Sequence, residues 1–428
     1  MAANPSARDD LHRRFTEVRR FTDALSQPLS AEDCALQSMP DASPTKWHLA
    51  HTSWFFENFV LLALGEAPFH PRFGFLFNSY YEAEGPRHER PRRGLLSRPS
   101  LDEVRRYRAD VDRRVLHALR EMSAERFAAL GPVIELGLHH EQQHQELILT
   151  DILHALAGSP LRPAYRESAP PRSGSLALGL APGPMGWIAH DKGVRQIGHD
   201  GVGFAFDNEG PRHAVYQNAY LLADRLVTCG EYLEFIEDGG YTRPELWLSD
   251  GWAAVKAEGW TMPLYWARQG SSFEMATLDG VHPVNPSEPV CHLAYYEADA
   301  FARWAGARLP TEAEWEIAAA EAPVQGTFAD GLALHPQPAP PQEPGSRLPR
   351  QLFGEVWQWT ASAYSSYPGF RPLAGALGEY NGKFMCNQLV LRGGSCATPA
   401  SHLRVSYRNF FPPGARWQFS GVRLARDS

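Results

Sequence analysis

Several signatures of familiar protein classes are missing from this chain of 428 residues. Its five cysteines form no Cys-x-x-Cys pair, which argues against a disulfide framework or a thiolate metal site and favours a reducing compartment such as the cytoplasm. The apolar runs, such as 59–64, fall far short of the roughly 20 residues of a membrane span, and the polar N-terminus does not resemble a signal peptide. With 41 Lys and Arg against 49 Asp and Glu, and no long basic run, we expect no nucleic acid partner.

The first 157 residues contain four windows in which apolar residues recur at spacings of three and four. The windows are Leu11–Leu25, Ser43–Gly65, Ser100–Met122 and Pro132–Ala157. Ser43 and Pro44 predict an N-cap followed by a proline at the first helical position, and Ser100 with Glu103 predicts a capping box. Four amphipathic helices of this length indicate a four-helix bundle over residues 1–158.

The remainder of the chain has a different composition. Residues 159–186 are rich in Pro, Gly and Ser without helical periodicity, which predicts a linker. Residues 187–428 are rich in Trp, Tyr, Gly and short apolar runs, with a helix pair predicted over Tyr295–Ala320 and interrupted at Arg308–Pro310. These features predict an α+β domain, with a surface insertion over the proline-rich segment 336–349.

The fourth predicted helix contains two histidines that face its apolar side. His140 and His144 lie about 40° apart in helical projection, on the same side as Leu136 and Ile148. Two histidines in a bundle core are costly for packing alone, whereas neutral imidazoles one turn apart can bind one divalent metal. A third ligand is needed, and helical geometry leaves three candidates open, which are His51, His48 and Asp151.

The same helix also fits a short metallopeptidase pattern. His140-Glu141-x-x-His144 matches the zinc-binding sequence in which the glutamate is the general base. The extended form of that pattern requires Gly at position 147 and His at position 150, where this chain has Leu147 and Thr150. The departure disfavours a metallopeptidase.

Two further clusters stand out. The loop 77–91 carries adjacent tyrosines and arginines between two helices of the predicted metal-binding bundle, and binding residues concentrate on such loops. The C-terminal half contains glycine-rich and tryptophan-rich segments at 354–360, 391–396, 407–413 and 419–424. Spacing and composition indicate only strands and turns for these segments.

Taken together, the clusters resemble the EgtB-type sulfoxide synthases of ergothioneine biosynthesis, which are non-haem iron enzymes. The helical half is similar through 49–51 and His140-x-x-x-His144-x-Glu146, and the other half through 308–316, 354–359, 392–395 and 419–423. The resemblance covers nearly the whole chain. It implies a DinB-like four-helix bundle followed by a C-type-lectin-like α+β domain of the sulfatase-modifying-factor class.

The resemblance also implies roles for individual residues. It assigns the iron ligands to His51, His140 and His144, and contact with the imidazole substrate to Gln143. It implies that Asn409 and Phe410 help to hold the trimethylated amino acid. Arg87 and Arg90 are the implied partners of the carboxylate of the thiol substrate, with Arg416 as a further candidate for that task.

The chain resembles the branch of the family that uses cysteine as the thiol. The branch that uses γ-glutamylcysteine has an acidic residue where this chain has Phe411, and it has a catalytic tyrosine where this chain has Leu377, three residues before Tyr380. The Asn-Ser-Tyr-Tyr segment at 78–81 is instead typical of the cysteine-using branch. Tyr80 or Tyr81 is therefore the implied donor of a proton or hydrogen atom.

The implied reaction joins cysteine to the imidazole C2 of hercynine (Nα-trimethylhistidine) with Fe(II) and O₂, giving hercynylcysteine sulfoxide. The alternatives are γ-glutamylcysteine as the thiol and ovothiol-type coupling of cysteine to C5 of histidine, although such synthases usually carry a methyltransferase domain that we do not expect here. A formylglycine-generating oxidase would need a pair of cysteines near the C-terminus, and no cysteine follows Cys396. A non-enzymatic binding module would instead hold a structural metal with four protein ligands. The sequence leaves the oligomeric state open.

Overall fold

The computed structural model describes residues 5–166, 183–342 and 345–428. They form two compact units, one from the described part of 1–165 with Leu373–Tyr380, the other from the described remainder. The first unit is helical, and a π-helical turn at Glu57–Leu61 and a 3₁₀ turn at Leu62–Leu64 extend its second helix to Gly65. Its α-helices are α1 (Pro5–Ser26), α2 (Thr45–Phe56), α3 (Phe73–Phe77), α4 (Leu101–Glu121) and α5 (Ala124–Gly158). The four predicted helices are thus confirmed, with the short α3 added.

The predicted start of one helix, α4, is confirmed, and the predicted starts of α2 and α5 are wrong. Ser100 and Glu103 form the predicted capping box of α4. The predicted N-cap Ser43 is wrong, because α2 begins one residue later with Pro44 as its N-cap, and the Ser43 hydroxyl accepts a hydrogen bond from Arg93 instead. The predicted start of α5 at Pro132 is also wrong.

Helix α5 begins eight residues before that proline. Ser123 caps the helix, its hydroxyl accepting the Arg126 N–H at 3.2 Å, and the helix then continues through Pro132. A proline inside a helix removes one backbone hydrogen bond, which is why the sequence favours a boundary there. In α5 the capped first turns and the long buried segment that follows keep the helix continuous.

The packing of the helical unit places α2 and α5 side by side. Helix α5 also packs on α1, and α2 also packs on α4. Every residue of α2 is buried, and the buried segment of α5 extends from Ile134 to Leu156 with few interruptions. Polar side chains on the facing sides of α2 and α5 are therefore removed from water, which is costly unless they are bonded to one another or to a ligand.

The second unit mixes short strands and helices. Its helices are α6 (Cys229–Glu237), α7 (Ser249–Glu258), α8 (Tyr295–Trp304) and α9 (Glu312–Ala319). Its first strands are β1 (Trp187–His190), β2 (Gly193–Ile197), β3 (His213–Gln217), β4 (Tyr220–Ala223), β5 (Trp266–Gln269), β6 (Ser272–Thr277) and β7 (Gly280–Pro283). The later strands are β8 (Trp357–Ala363), β9 (Leu389–Arg392), β10 (Asn409–Phe411), β11 (Ser420–Gly421) and β12 (Ala425–Asp427). The predicted helix pair is confirmed as α8 and α9, whereas α6 and α7 were not predicted.

These strands form small sheets with the orders β1-β4-β12, β10-β9-β8-β11, β2-β3 and β5-β6-β7. The pairings are antiparallel apart from that of β11 with β8, in which Ser420 lies opposite Trp357. Many residues of the glycine-rich and tryptophan-rich motifs lie in the core of this unit. The Gln358 amide oxygen accepts hydrogen bonds from the Trp315 indole and the buried Arg423 guanidinium, both at 2.8 Å. Gly393 adopts a φ of +98°, where a Cβ would meet the Leu352 carbonyl oxygen.

The predicted fold class, helical in the first part and α+β in the second, is confirmed. Of the predicted linker, 167–182 lies outside the described residues, as do 343–344 of the predicted insertion 336–349. Gln337 in that insertion donates its N–H to the Glu355 carboxylate at 2.7 Å. Within the described ranges, no helix has both the length and the apolar character that crossing a bilayer requires.

Candidate metal centre

Three buried histidines from α2 and α5 converge in the helical unit. The ligand nitrogens of His51, His140 and His144 all lie within 4.8 Å of one another. The Nε2 atoms of His51 and His140 are 3.1 Å apart, and the His144 ring centroid lies 4.7 Å from that of His51 and 4.6 Å from that of His140. Two nitrogens bound at about 2.1 Å and at right angles on one metal would lie about 3 Å apart. The cluster thus has the dimensions of one metal site.

His51 is held in one orientation by its surroundings. Its Nδ1–H donates to the Phe77 carbonyl oxygen at 2.6 Å, which leaves the lone pair on Nε2, the atom that faces His140. The indoles of Trp47 and Trp54 stack on the imidazole with centroids at 4.5 and 5.6 Å. These residues stand four before and three after His51 on α2, so the helix itself builds the aromatic slot.

Burial keeps the three imidazoles neutral. Loss of hydration lowers the pKa of His140 to about 3, against a smaller opposite effect of Glu141, and it lowers the pKa of His51 and His144 well below the ordinary value. The proximity of the rings to one another lowers the pKa of His51 and His144 further. Metal ligation requires neutral imidazole, so the site is set for a cation at neutral pH without a proton having to leave first.

The other two candidates for the third ligand occupy a different position. His48 Nδ1 lies 2.8 Å from His144 Nδ1, and His48 Nε2 lies 3.1 Å from Asp151 Oδ2. Asp151 Oδ2 also accepts the Ser43 N–H at 2.8 Å. His48 and Asp151 therefore lie behind His144, and the group of close ligand atoms found among the described residues is the His51, His140 and His144 set.

The donor set fits a metal by its chemistry. Neutral nitrogen ligands from facing helices are a common way to bind a transition metal in a bundle core, and imidazole suits Zn, Cu, Fe and Ni. The His140 Nδ1 atom is buried and makes no hydrogen bond within the described structure, and the Nε2 atoms of His51 and His140 face one another. A cation between the two Nε2 atoms would bind their buried lone pairs, which are otherwise costly.

Glu141 does not belong to this centre. Its carboxylate is fully buried and forms ion pairs with Arg19 at 2.8 Å and Arg108 at 2.6 Å, with a further hydrogen bond from the Thr22 hydroxyl at 2.6 Å. One residue along a helix is a rotation of 100°, so Glu141 points away from the direction that His140 and His144 share. This geometry agrees with the sequence argument against a metallopeptidase.

The two predicted tyrosines lie in differing surroundings. The Asn78 side chain holds the loop by accepting the Tyr81 N–H at 3.0 Å and donating to the Tyr81 carbonyl at 2.8 Å. Tyr81 is fully buried and packs on Trp54. Tyr80 is only half-buried, and its ring lies 4.7 Å from that of Tyr81.

Two residues near the site went unrecognised in the sequence. Tyr380 has no predicted role at the metal site, yet its hydroxyl donates to the Gln143 side chain and its ring lies 5.7 Å from that of His140. The Glu379 carboxylate accepts the N–H groups of Glu82 and Ala83, each at 3.0 Å. The segment Leu373–Tyr380 thus joins the helical unit, and no local sequence signal predicts a contact across 237 positions.

The predicted arginines have partners within the protein. Arg87 pairs with the Glu82 carboxylate, and Arg90 donates to the Asp41 carbonyl; both are at least partly exposed. In the second unit, Arg416 is almost fully buried and binds Glu297 through two hydrogen bonds of 2.8 and 2.7 Å. Because this ion pair occupies donors of Arg416, the geometry weakens its predicted role as a site for a substrate carboxylate.

Asn409 and Phe410 lie on β10 of the second unit. The Asn409 side-chain oxygen accepts the Phe410 N–H at 2.9 Å. The Phe410 ring stacks on Tyr364 at 4.0 Å with an interplanar angle of 10°. Phe411 is half-buried and lies 6.2 Å from the Trp417 ring.

Known protein families match both halves of the chain. The DinB superfamily matches residues 14–148, and the sulfatase-modifying factor enzyme 1-like domain family matches 185–347 and 349–428. A hercynine oxygenase of Mycolicibacterium thermoresistibile is 34% identical, over 98% of this chain and 95% of that protein. The chain belongs to the hercynine oxygenase family.

Further relatives agree with this family membership. A hercynine oxygenase of Mycobacterium tuberculosis is 34% identical over 93% of this chain and 94% of that protein. A formylglycine-generating enzyme of Streptomyces coelicolor is 25% identical over 59% of this chain and 95% of its own length. The family predicted from the motifs is confirmed, and the chain is an enzyme.

Proposed function

We propose that this member of the hercynine oxygenase family uses Fe(II) and O₂ to join the sulfur of cysteine to C2 of the hercynine imidazole, giving hercynylcysteine sulfoxide. The three-histidine cluster in the helical unit is the observation that carries the proposal. Family membership across nearly the whole chain supports the substrate hercynine. The reaction balances, because the S–H and C2–H hydrogens leave, C–S and S–O bonds form, and O₂ supplies one oxygen atom to the product and one to water.

The residues fit Fe(II) as the metal. His51, His140 and His144 would hold Fe(II) through three neutral imidazoles, which would leave room at the metal for the substrates and O₂. When bound, Fe(II) would activate O₂ for reaction with the thiol, and the two substrates supply the electrons that reduce O₂. A structural metal would instead be expected to have four protein ligands, and the cluster of described ligands has three.

The protein side chains would position the substrates around this centre. Gln143, held by the Tyr380 hydroxyl, would bind the hercynine imidazole, and Asn409 with Phe410 would hold its trimethylammonium group. A quaternary ammonium cannot donate hydrogen bonds, so an aromatic face is a suitable partner for it. Arg87 and Arg90 would bind the carboxylate of the thiol.

Cysteine is the thiol that the chain's side chains favour. The amine of a γ-glutamyl group needs an acidic partner, and Phe411 offers none. The chain also has Leu377 where the γ-glutamylcysteine branch has its catalytic tyrosine, while Tyr80 and Tyr81 supply the phenols of the cysteine-using branch. We place the reaction in a reducing compartment such as the cytoplasm, because the substrate must remain a thiol and no disulfide joins the five cysteines, all of which lie among the described residues.

We expect Tyr80→Phe and Tyr81→Phe to differ. One of them should slow C–S bond formation by about 100-fold or more, or divert the reaction to oxidation of the thiol alone, because a positioned proton donor typically contributes that much. The differing burial of the two rings is the physical reason for the difference. Single-turnover product analysis of both variants checks this, and two variants with wild-type behaviour would reject both tyrosines as the donor.

Replacing Phe411 with aspartate is expected to shift thiol preference. The ratio of kcat/KM for γ-glutamylcysteine to that for cysteine should rise by about tenfold, the contribution of roughly one charge-assisted hydrogen bond. Phe411→Asn is the matched control, because it removes the ring without adding charge. An unchanged ratio in the aspartate variant would contradict the assignment of thiol specificity to this position.

Oxygen uptake tests the proposed reaction. Anaerobically Fe(II)-loaded protein is mixed with O₂, hercynine and either cysteine or γ-glutamylcysteine, and the product mass is read. We expect uptake that requires both hercynine and cysteine. Faster turnover with γ-glutamylcysteine would keep the reaction class and overturn the thiol, whereas coupling of cysteine to histidine would indicate ovothiol-type chemistry. The absence of uptake despite bound iron would favour a binding module.

A further inference from the structure

A second layer of buried polar groups lies behind His144. His48 bridges the layer, with Nδ1 at 2.8 Å from His144 Nδ1 and Nε2 at 3.1 Å from Asp151 Oδ2. His48, His144 and Asp151 are each less than 10% exposed. Removing three such groups from water is costly, so their mutual hydrogen bonds need an explanation beyond packing.

The hydrogen-bond partners fix where the protons are. Asp151 Oδ2 already accepts the Ser43 N–H, so we assign the hydrogen of the His48 contact to Nε2, which donates it to the same oxygen. An imidazole that carries its one N–H on Nε2 has its lone pair on Nδ1, so the His48 Nδ1 atom is an acceptor. His144 Nδ1 must then carry a proton and donate it to His48. The lone pair of His144 is thereby placed on Nε2.

We propose that His48 and Asp151 are positioning residues of the metal centre, which fix the tautomer and ring orientation of His144 so that Nε2 is its ligand atom. This inference rests on the proposed metal site but not on the identity of the substrates. Metal-bound histidines usually donate their second ring N–H to a carboxylate, and here an intervening imidazole extends that arrangement.

The layer also links the two helices that carry the ligands. His48 stands one turn before His51 on α2, and Asp151 stands two turns after His144 on α5. The Asp151 carboxylate further accepts the N–H of Ser43, whose hydroxyl accepts a hydrogen bond from the buried Arg93 at 2.9 Å. The chain of contacts thus fixes the start of α2 against α5 beside the site.

The test measures metal binding in the absence of substrates. The dissociation constant for Fe(II) is determined anaerobically by competition with a chromophoric chelator, and the visible spectrum of the Co(II) form reports the ligand geometry. The variants are His48→Phe, Asp151→Asn and the double variant, which leaves no buried carboxylate without a partner. His154→Phe is the matched control, because His154 lies on α5 and its Nδ1 bonds to the Ser38 hydroxyl.

We expect His48→Phe and the double variant to bind Fe(II) about 10- to 100-fold more weakly at unchanged stoichiometry, with a shifted Co(II) spectrum. Asp151→Asn should weaken binding by about tenfold and His154→Phe by less than about twofold. If His48→Phe does not fold, Asp151→Asn and the double variant decide. Affinity within about twofold of wild type in folded variants would overturn the inference, and so would complete loss of the metal, which would make His48 a ligand. A wild-type protein that binds no Fe(II) would instead refute the metal centre itself.

Discussion

Replacement of His140 by alanine is expected to remove the metal and to reduce hercynine-dependent oxygen uptake by about 10³-fold or more. The two remaining imidazoles cannot hold a cation as three do, and loss of a direct ligand should exceed the roughly 10- to 100-fold cost of losing a residue that only orients one. The His140 Nε2 atom lies 3.1 Å from that of His51, so the variant loses one of the two nitrogens that face one another between α5 and α2. Metal analysis after anaerobic reconstitution, with circular dichroism to confirm the fold, measures the result.

The control and the contradicting outcome for this variant are well defined. His154→Ala removes a half-buried imidazole from the same helix, one residue after the buried Leu153, and should leave the metal content unchanged. Full metal occupancy in a folded His140→Ala protein would contradict the assignment. In that case the ligand set would have to include His48 or Asp151, the nearest alternatives on α2 and α5.

The second large effect is expected on stability. Glu141→Ala should lower the free energy of unfolding by about 3–5 kcal/mol, because it leaves the buried guanidinium groups of Arg19 and Arg108 without their shared carboxylate. The matched control is Glu135→Ala, which breaks the half-exposed ion pair with Arg14 and should cost no more than about 1 kcal/mol. Denaturant unfolding of both variants gives the comparison.

This variant also separates structure from chemistry. At temperatures where the Glu141→Ala protein is folded, it should retain metal binding. The reason is that the Glu141 carboxylate points toward Arg19 and Arg108 rather than toward the histidine cluster. Stability within about 1 kcal/mol of wild type combined with complete loss of turnover would contradict this account. It would indicate that Glu141 acts on a substrate.

The buried ion pairs of Glu141 with Arg19 and Arg108 also make the free energy of unfolding depend on pH. Burial alone would raise the pKa of Glu141, but Arg108 and Arg19 outweigh it and lower the pKa to about 2. A depressed carboxyl pKa contributes stability that is fully present above the ordinary value near 4.5 and is lost as pH falls from there toward 2. Glu141→Ala should therefore flatten this part of the stability profile.

The sequence predicts those parts of the site that depend on one helix. His140 and His144 share a face because they stand four residues apart, and that alone indicates a shared ligand. The choice of His51 over His48 came from the resemblance, because both lie on inward parts of α2 and helical phase does not say which ring meets α5. In the structure His51 faces His140, while His48 faces His144 from behind.

Contacts between distant segments could not be predicted in the same way. Tyr380 contacts Gln143 only because the segment Leu373–Tyr380 packs in the helical unit. In this segment the Glu379 carboxylate accepts a backbone hydrogen bond from Glu82, which follows the two adjacent tyrosines. The predicted start of α2 was wrong because the predicted capping residue forms hydrogen bonds with distant side chains instead. Serine is favoured at N-caps, but the Ser43 N–H donates to Asp151 and the Ser43 hydroxyl accepts a hydrogen bond from Arg93.

The proposed reaction is tested most directly by the mass of the product formed under ¹⁸O₂. Fe(II)-loaded protein, hercynine and cysteine are mixed in a single turnover. We expect one product whose mass equals hercynine plus cysteine minus two hydrogens plus one ¹⁸O atom, and we expect none of it from a His140→Ala protein. Formation of cystine or cysteine sulfinate alone, with hercynine recovered unchanged, would contradict the account, because the histidine cluster would then oxidise thiols without joining them to the imidazole.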